Sequence, residues 1–351
     1  MSSAITFKCP GCGGYMEFDP AQQKFKCPYC GQLMSEDELR EQSEKRESQA
    51  EAAQAAPAEG EHHLKNYHCQ MCGAEIVTDD TTAATRCYFC HSPVVLHDRL
   101  DDDFRPDGVI PFKLDKATAE KQFLDYISKK KFVDRAFFNG AQLEMFSGVY
   151  YPWWYTDIDG EAEFDGEGTR STMRSTPSHI ITTTNVYKVN REGRLSFRNL
   201  ARKALTKADG KLSDGIHPYD ISEVVPYASG FLSGFLAEKR DIPEAQARAD
   251  AIAEVRGYVP EMMQRNHAFN SLSGHADFAP KTVKSRYVLL PAWVLTYKGG
   301  KDGVPYYYMM NGQTGKICGK LPIDKKRLLA TALGVGIAIF LTLCGGGAFI
   351  W

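Results

Sequence analysis

Phe7-Lys8-Cys9-Pro10-Gly11-Cys12-Gly13 and Phe25-Lys26-Cys27-Pro28-Tyr29-Cys30-Gly31 are two copies of one short pattern. Tyr67-His68-Cys69-Gln70-Met71-Cys72-Gly73 and Thr85-Arg86-Cys87-Tyr88-Phe89-Cys90-His91 repeat it further along the chain. In both halves of the repeat fourteen residues separate the two C-x-x-C pairs. Such a pair sets two thiolates on one tight turn, and a following glycine can take positive φ, so that backbone N–H groups face the sulfurs. Four thiolates satisfy a tetrahedral Zn²⁺ at about 2.3 Å. The pattern therefore predicts two structural zinc ions. One is held by Cys9, Cys12, Cys27 and Cys30, the other by Cys69, Cys72, Cys87 and Cys90, each in a small β ribbon.

A ribbon of this size buries too little to fold on apolar surface alone, and the metal supplies the missing stability. With four cysteines bound, no position stays open for a reacting water, which points to structure rather than catalysis. Iron competes for the same ligands, but the short spacing between pairs favours a zinc ribbon. His91 stands where the other turns carry glycine. It is less comfortable at positive φ than Gly but tolerated, and reads as a surface residue rather than a ligand.

Working outward, the 351 residues are enough for two or three domains. The boundaries read as ribbon one at 1–34, a Glu/Gln/Ala-rich tether at 35–64, ribbon two at 65–97, an α+β domain rich in antiparallel strands at 98–324, and a C-terminal segment at 325–351. The formal net charge is −2, without the basic excess of a nucleic-acid binder. In ribbon one Lys8, Lys24 and Lys26 face Glu17 and Asp19. In ribbon two Lys65 and Arg86 face Glu75, Asp79 and Asp80. Phosphate binding needs several cationic contacts, so protein partners are the expectation, with a membrane-held nucleic-acid-binding or regulatory protein as the alternative. Met1–Phe7 has no apolar run of a secretory signal, which predicts a reducing compartment for the thiols.

Leu328 to Trp351 carries no charge and follows Lys325, Lys326 and Arg327. Length and flanking charge predict one C-terminal transmembrane helix with the preceding domains in the cytoplasm, hence a single-pass protein of the cytoplasmic membrane. Ala330, Gly334 and Ala338 recur every four residues, a spacing that lets such helices pack and self-associate.

In the middle region Asp115 predicts a helix cap, with the helix running to about Lys130. Asn190-Arg191-Glu192-Gly193 reads as a hairpin turn between Thr182–Val189 and Arg194–Leu200. Gly230 to Gln264 has a helical pattern that Pro260 should kink or break. Strands are expected at Arg286–Lys298, Tyr306–Met310 and Lys316–Gly319, with turns at Lys298–Gly303 and Asn311–Gly315. The Gly312–Lys316 stretch is too short for a phosphate loop. Trp153, Trp154 and Trp293 read as strand-borne core, and Cys318 as a strand residue. His217 and His267 lack partners at metal spacing, and His275 with Asp277 forms no recognisable constellation. No nucleophile, base and orienting group stand together, so an enzyme is not expected.

The order of these segments, with Val109-Ile110-Pro111-Phe112, Tyr150-Tyr151-Pro152-Trp153-Trp154 and Asn311–Lys316, resembles the bacterial membrane-anchored tandem zinc-ribbon proteins of the YdjG-like kind. The likeness covers nearly the whole chain. Its ribbons are unspecific, since transcription factors and replication-restart helicases have similar ones; the middle-domain motifs are more telling. The resemblance implies a membrane scaffold that recruits PspA-like and SPFH proteins in membrane stress, and implies no activity. Gln70 and Tyr88 in place of proline, and His91 in place of glycine, put in doubt that both ribbons share one partner.

Overall fold

A computed structural model describes residues 4–35, 37–38, 41, 65–69, 71, 75–78, 81–87, 92–96, 100, 104–132, 146–206, 210–265, 268–297, 306–319 and 324–347. Ribbon one contributes β1 (Ala4–Ile5), β2 (Glu17–Asp19), β3 (Lys24–Lys26) and β4 (Leu33–Met34). Ribbon two contributes β5 (Lys65–His68), β6 (Glu75–Thr78), β7 (Thr82–Arg86) and β8 (Pro93–Leu96). The body begins with β9 (Gly108–Val109), α1 (Lys116–Ser128), β10 (Ser147–Ser175), β11 (Ile180–Lys203) and α2 (Gly210–Gly215). It continues through β12 (Val225–Pro226), β13 (Leu236–Glu238), α3 (Glu244–Gln264), β14 (Ser271–Tyr297), β15 (Tyr306–Asn311), β16 (Ile317–Gly319) and α4 (Lys325–Gly347).

The frame is three very long antiparallel strands. β10 lies in the middle, paired with β14 from Ser147↔Val294 to Thr169↔Ser271 and with β11 from Trp153↔Lys203 to Ser175↔Ile180. Side chains alternate across a strand, and β10 uses both faces. Ile158, Ala162 and Phe164 are buried on one, while Asp157, Asp159, Glu161, Glu163, Asp165 and Glu167 occupy the alternate positions. α3 covers the apolar face. Its Ala251, Val255, Val259 and Met263, one helical turn apart, pack with Ile158, Ala162, Phe164 and Phe278. That continuous stripe carries α3 through Pro260 without a break, offsetting the roughly 3 kcal/mol a helical proline costs.

Several local expectations hold. Asp115 caps α1, its side chain accepting from the Thr118 N–H. Gly315, at φ +77, closes the turn between β15 and β16 by donating to the Asn311 carbonyl. Others change. Asn190 to Gly193 is no turn: the residues sit inside β11, with Asn190 opposite Asp165 and Gly193 opposite Ala162. The chain reverses at Thr176–His179 instead, where the Thr176 N–H donates to the His179 carbonyl at 2.8 Å. The helical pattern from Gly230 is realised only from Glu244, after Pro243; before it lie a 3₁₀ turn at Ser229–Leu232 and β13.

The fold class itself needs correction. The chain is mostly β, built on an eleven-stranded mixed sheet, not on an α+β domain followed by a transmembrane helix. Short parallel pairs, β10 with β13 and β14 with β9, make the sheet mixed. α4 forms where a helix was expected, but among the described residues no helix is long and apolar enough to cross a membrane. The expected single-pass location in the cytoplasmic membrane falls with the span. Leu329 and Phe340 on α4 are exposed.

The ribbons are stitched to this sheet. β1 pairs with β8, β8 with β7, and β7 with β13 of the body. β2, β3 and β4 form their own three-stranded sheet, whose Phe18 and Phe25 rings each lie 5.5 Å from the Phe231 ring. The Phe18 N–H donates to the Ser233 carbonyl, and the Ser233 hydroxyl donates to the Met16 carbonyl. Gln23 donates to the Phe112 carbonyl at 2.7 Å. Gly234, at φ +96, backs onto the Glu17 side chain, a conformation that L side chains rarely adopt. Burial of each phenylalanine here stabilises the contact by roughly 1.5–3 kcal/mol. The tether at 35–64 lies almost wholly outside the described residues.

Candidate metal centre

Both turns of ribbon one have the same local build. The Gly13 N–H donates to the Cys9 carbonyl and the Gly31 N–H to the Cys27 carbonyl, each at 2.9 Å. In return the Cys9 N–H donates to the Gly14 carbonyl and the Cys27 N–H to the Gln32 carbonyl. Gly13 and Gly31 sit at φ +70 and +74, the left-handed region expected of the glycine after each second cysteine. The short strands β2 and β3 hold the two turns face to face.

The four sulfurs of Cys9, Cys12, Cys27 and Cys30 all lie within 4.8 Å of one another. Cys9 and Cys30 are 3.5 Å apart, as are Cys12 and Cys27. A tetrahedral ion with bonds of about 2.3 Å needs sulfurs about 3.8 Å apart, so the two close pairs need open by only about 0.3 Å to hold Zn²⁺. An all-thiolate set selects a soft or borderline metal over Mg²⁺ or Ca²⁺. Burial pushes the Cys27 thiol up, but the Cys30 and Tyr29 N–H groups and the neighbouring thiols outweigh it and bring it down to about 7. The same N–H groups would stabilise a metal-bound thiolate. The Cys9 thiol donates to Gln32 Oε1 at 3.3 Å; once Cys9 is a thiolate, the amide would present its N–H₂ to the sulfur instead.

The centre is two-sided. Cys9 and Cys27 are buried, whereas Cys12 and Cys30 are exposed. Beside the exposed pair, the Tyr29 ring stands edge-on to Tyr15 at 5.2 Å. In ribbon two Cys69 and Cys87 are buried with Tyr67, Val94 and Leu96, and Cys69 Sγ lies 3.4 Å from Ser92 Oγ. Cys72, Gly73, Cys90 and His91 lie outside the described residues, so the second ion rests on the sequence pattern. Among the described residues the ribbon-one cysteines are the one group that could hold a metal.

The remaining candidates separate clearly. Trp154 and Trp293 are core, their indole N–H groups donating to the Ile242 and Leu114 carbonyls. Trp153, though buried, lines a cavity of about 710 Å³ with Tyr155, His217, Tyr219 and Asp220. His217 packs against the Trp153 ring at 4.2 Å, and burial, with the Lys316 charge, lowers its pKa to about 4. His275 and Asp277 form an exposed surface pair at 3.2 Å. Cys318 is half-buried in β16, its thiol 3.7 Å from the Lys211 carbonyl. His267 lies outside the described residues. Sequence reasoning missed the seat of ribbon one, Phe231 and Ser233, because an apolar run beside a helix carries no mark of its partner. It also missed Gln32, although that residue occupies, in the second turn, the place of Gly14 in the first.

Fold and donor set together define a zinc ribbon at the N-terminal end of the chain. Residues 7–48 match the TFIIB zinc-binding family model. The chain is similar to the uncharacterized protein YdjG of Bacillus subtilis (strain 168), with 29% identity over 256 residues, covering 71% of this chain and 73% of that protein. No solved structure matches.

Proposed function

We propose that this zinc-binding chain is an adaptor that docks protein partners on the outer edge of ribbon one. The observation that carries the reading is the division of that ribbon. Its Phe18–Phe25 face is spent on the body, while the opposite edge presents Tyr29, 66% exposed, and Leu33, 43% exposed, beside Cys12 and Cys30. Exposed aromatic and aliphatic side chains on a metal-stiffened turn lose little entropy when a partner covers them. The charge balance favours a protein over nucleic acid. A second structural zinc at Cys69, Cys72, Cys87 and Cys90 is part of the same reading, and no catalytic group is assigned. PspA-like and SPFH proteins, implied by the family resemblance, are the partners to try first.

Tyr29→Lys with Leu33→Lys tests this. Both side chains are exposed, so zinc content and circular dichroism should stay as in wild type. Binding of a purified PspA-like or SPFH protein should weaken at least tenfold. Unchanged binding would remove ribbon one as the docking edge. Salt-sensitive retention of residues 1–97 on DNA or RNA would favour the nucleic-acid reading instead.

A further inference from the structure

The three long strands do not end together. β14 stops pairing at Ser271, opposite Thr169, and α3 ends at Gln264. Beyond that point β10 and β11 continue alone as a two-stranded arm, from Arg170↔Asn185 to Ser175↔Ile180. Every residue from Arg170 to Lys188 is exposed, including Met173 at 72%, Ile180 at 69% and Val186 at 61%. A lone two-stranded ribbon is marginal in water. Among the described residues β11 pairs with β10 alone, so its outer edge offers a row of free N–H and C=O groups, a template for another strand.

Which residues make that row follows from the ladder. Thr176 and His179 are a hydrogen-bonded pair at the turn. Alternation along an antiparallel pair then turns the backbone groups of Ile180, Thr182, Thr184 and Val186 outward. The far side of the arm agrees: the Asn270 N–H donates to the Thr169 carbonyl and the Ser171 N–H to Asn270 Oδ1, so odd-numbered β10 residues face away from β11.

We infer that this edge joins a second copy of the chain, β11 to β11, in an antiparallel two-fold pairing centred on Thr183. Charge distribution selects this occupant and register. Ile180-Ile181-Thr182-Thr183-Thr184-Asn185-Val186-Tyr187 has no charged residue, whereas the rest of β11 carries Lys188, Arg191, Arg194, Arg198, Arg202 and Lys203 against the single acid Glu192. A pairing centred on Arg191 would set Arg191 opposite itself and Lys188 opposite Arg194 twice, and like charges directly opposite are destabilising. Centred on Thr183, Ile180 meets Val186 of the other copy twice, Thr182 meets Thr184 twice, and Lys188 falls opposite Ser178. The two arms become one four-stranded sheet, with the apolar row of Met173, Ile180 and Val186 continuous across the axis. The contact is isologous, so it closes at two copies rather than growing into a fibre.

The experiment measures the mass of the full chain by sedimentation over a range of concentrations. Wild type should reach a dimer. Thr182→Lys with Thr184→Lys places lysine against lysine twice and should raise the dimer Kd at least tenfold. Thr182→Lys with Thr184→Glu places opposite charges across the same contact and should restore a Kd within threefold of wild type. Thr183→Cys should give a disulfide-linked dimer under oxidised glutathione, mapping to the peptide that carries position 183. Three outcomes overturn the proposal: a monomer at every concentration, a dimer of wild-type Kd in the double-lysine variant, or crosslinks that map elsewhere. Association through the exposed side chains of α4 would show itself as the second.

Discussion

Ribbon one and the long-stranded body reach order by opposite routes. Ribbon one has strands of three residues or fewer, and its geometry is written by four sulfurs, two left-handed glycines and a few turn hydrogen bonds. The body has β10, β11 and β14 at 29, 24 and 27 residues, and its geometry is written by ladders and by the stripe of α3. One should vanish with its metal and the other should not notice. The seam at Phe231 is where the two kinds of order meet.

The largest expected break is Cys27→Ser. Structural zinc contributes on the order of 10 kcal/mol to such sites. The variant should lose the ribbon-one zinc by native mass spectrometry. Amides of residues 4–34 should exchange rapidly, while those of β10 and β14 keep their protection. Equal loss in the body would show that the two regions are one cooperative unit. Phe231→Ala cuts the seam instead. Removing a buried phenyl ring costs roughly 3–5 kcal/mol, and here zinc content should persist while the ribbon undocks. A calorimetric trace that separates into two transitions would confirm the division.

A third test sharpens the body alone. Folding holds the His217 pKa at about 4, below its unfolded value of about 6.5. Between those values the unfolded chain binds a proton that the folded chain does not. Stability contributed by neutral His217 is therefore complete above about pH 6.5, falls as pH drops towards 4, and is flat below. The loss should be about 3 kcal/mol, and His217→Phe should reduce this slope in urea titrations of the body. A slope identical in both proteins would remove His217 from the account. The smallest effect is Arg86→Ala. Arg86 meets Glu17 at 2.9 Å, but both side chains reach solvent, and such pairs contribute at most about 1 kcal/mol. The melting temperature should shift by no more than a few degrees.

Legibility follows the same divide. Ribbon one could be read almost atom by atom, because C-x-x-C-G is a local instruction: spacing sets the turn, and Gly13 and Gly31 stand at the positive φ that the turn requires. Asp115 and the Asn311–Gly315 turn were readable for the same reason. Non-local facts were not. Asn190 to Gly193 has the composition of a hairpin, yet ladder partners on β10 override it and move the reversal to Thr176–His179. Pro260 reads as a breaker, yet packing of Val255, Val259 and Met263 on the sheet carries the helix past it. The apolar C-terminal stretch reads as a span by composition, while the helix falls short of one. The docking of ribbon one could not be read at all, because Phe231 and Ser233 lie far along the chain from Met16 and Phe18.

That distance also sets a timetable. Cys9 and Cys30 are 21 residues apart, so ribbon one can capture its ion as soon as its own segment has left the ribosome. Met16 and Ser233 are 217 residues apart, so the seat that covers the ribbon's aromatic face is made much later. Domains fold largely as they emerge during synthesis. Through most of its own translation, then, the metal-loaded ribbon carries Phe18 and Phe25 uncovered. Any factor that reads those rings would act on the nascent chain and lose its grip when the body arrives.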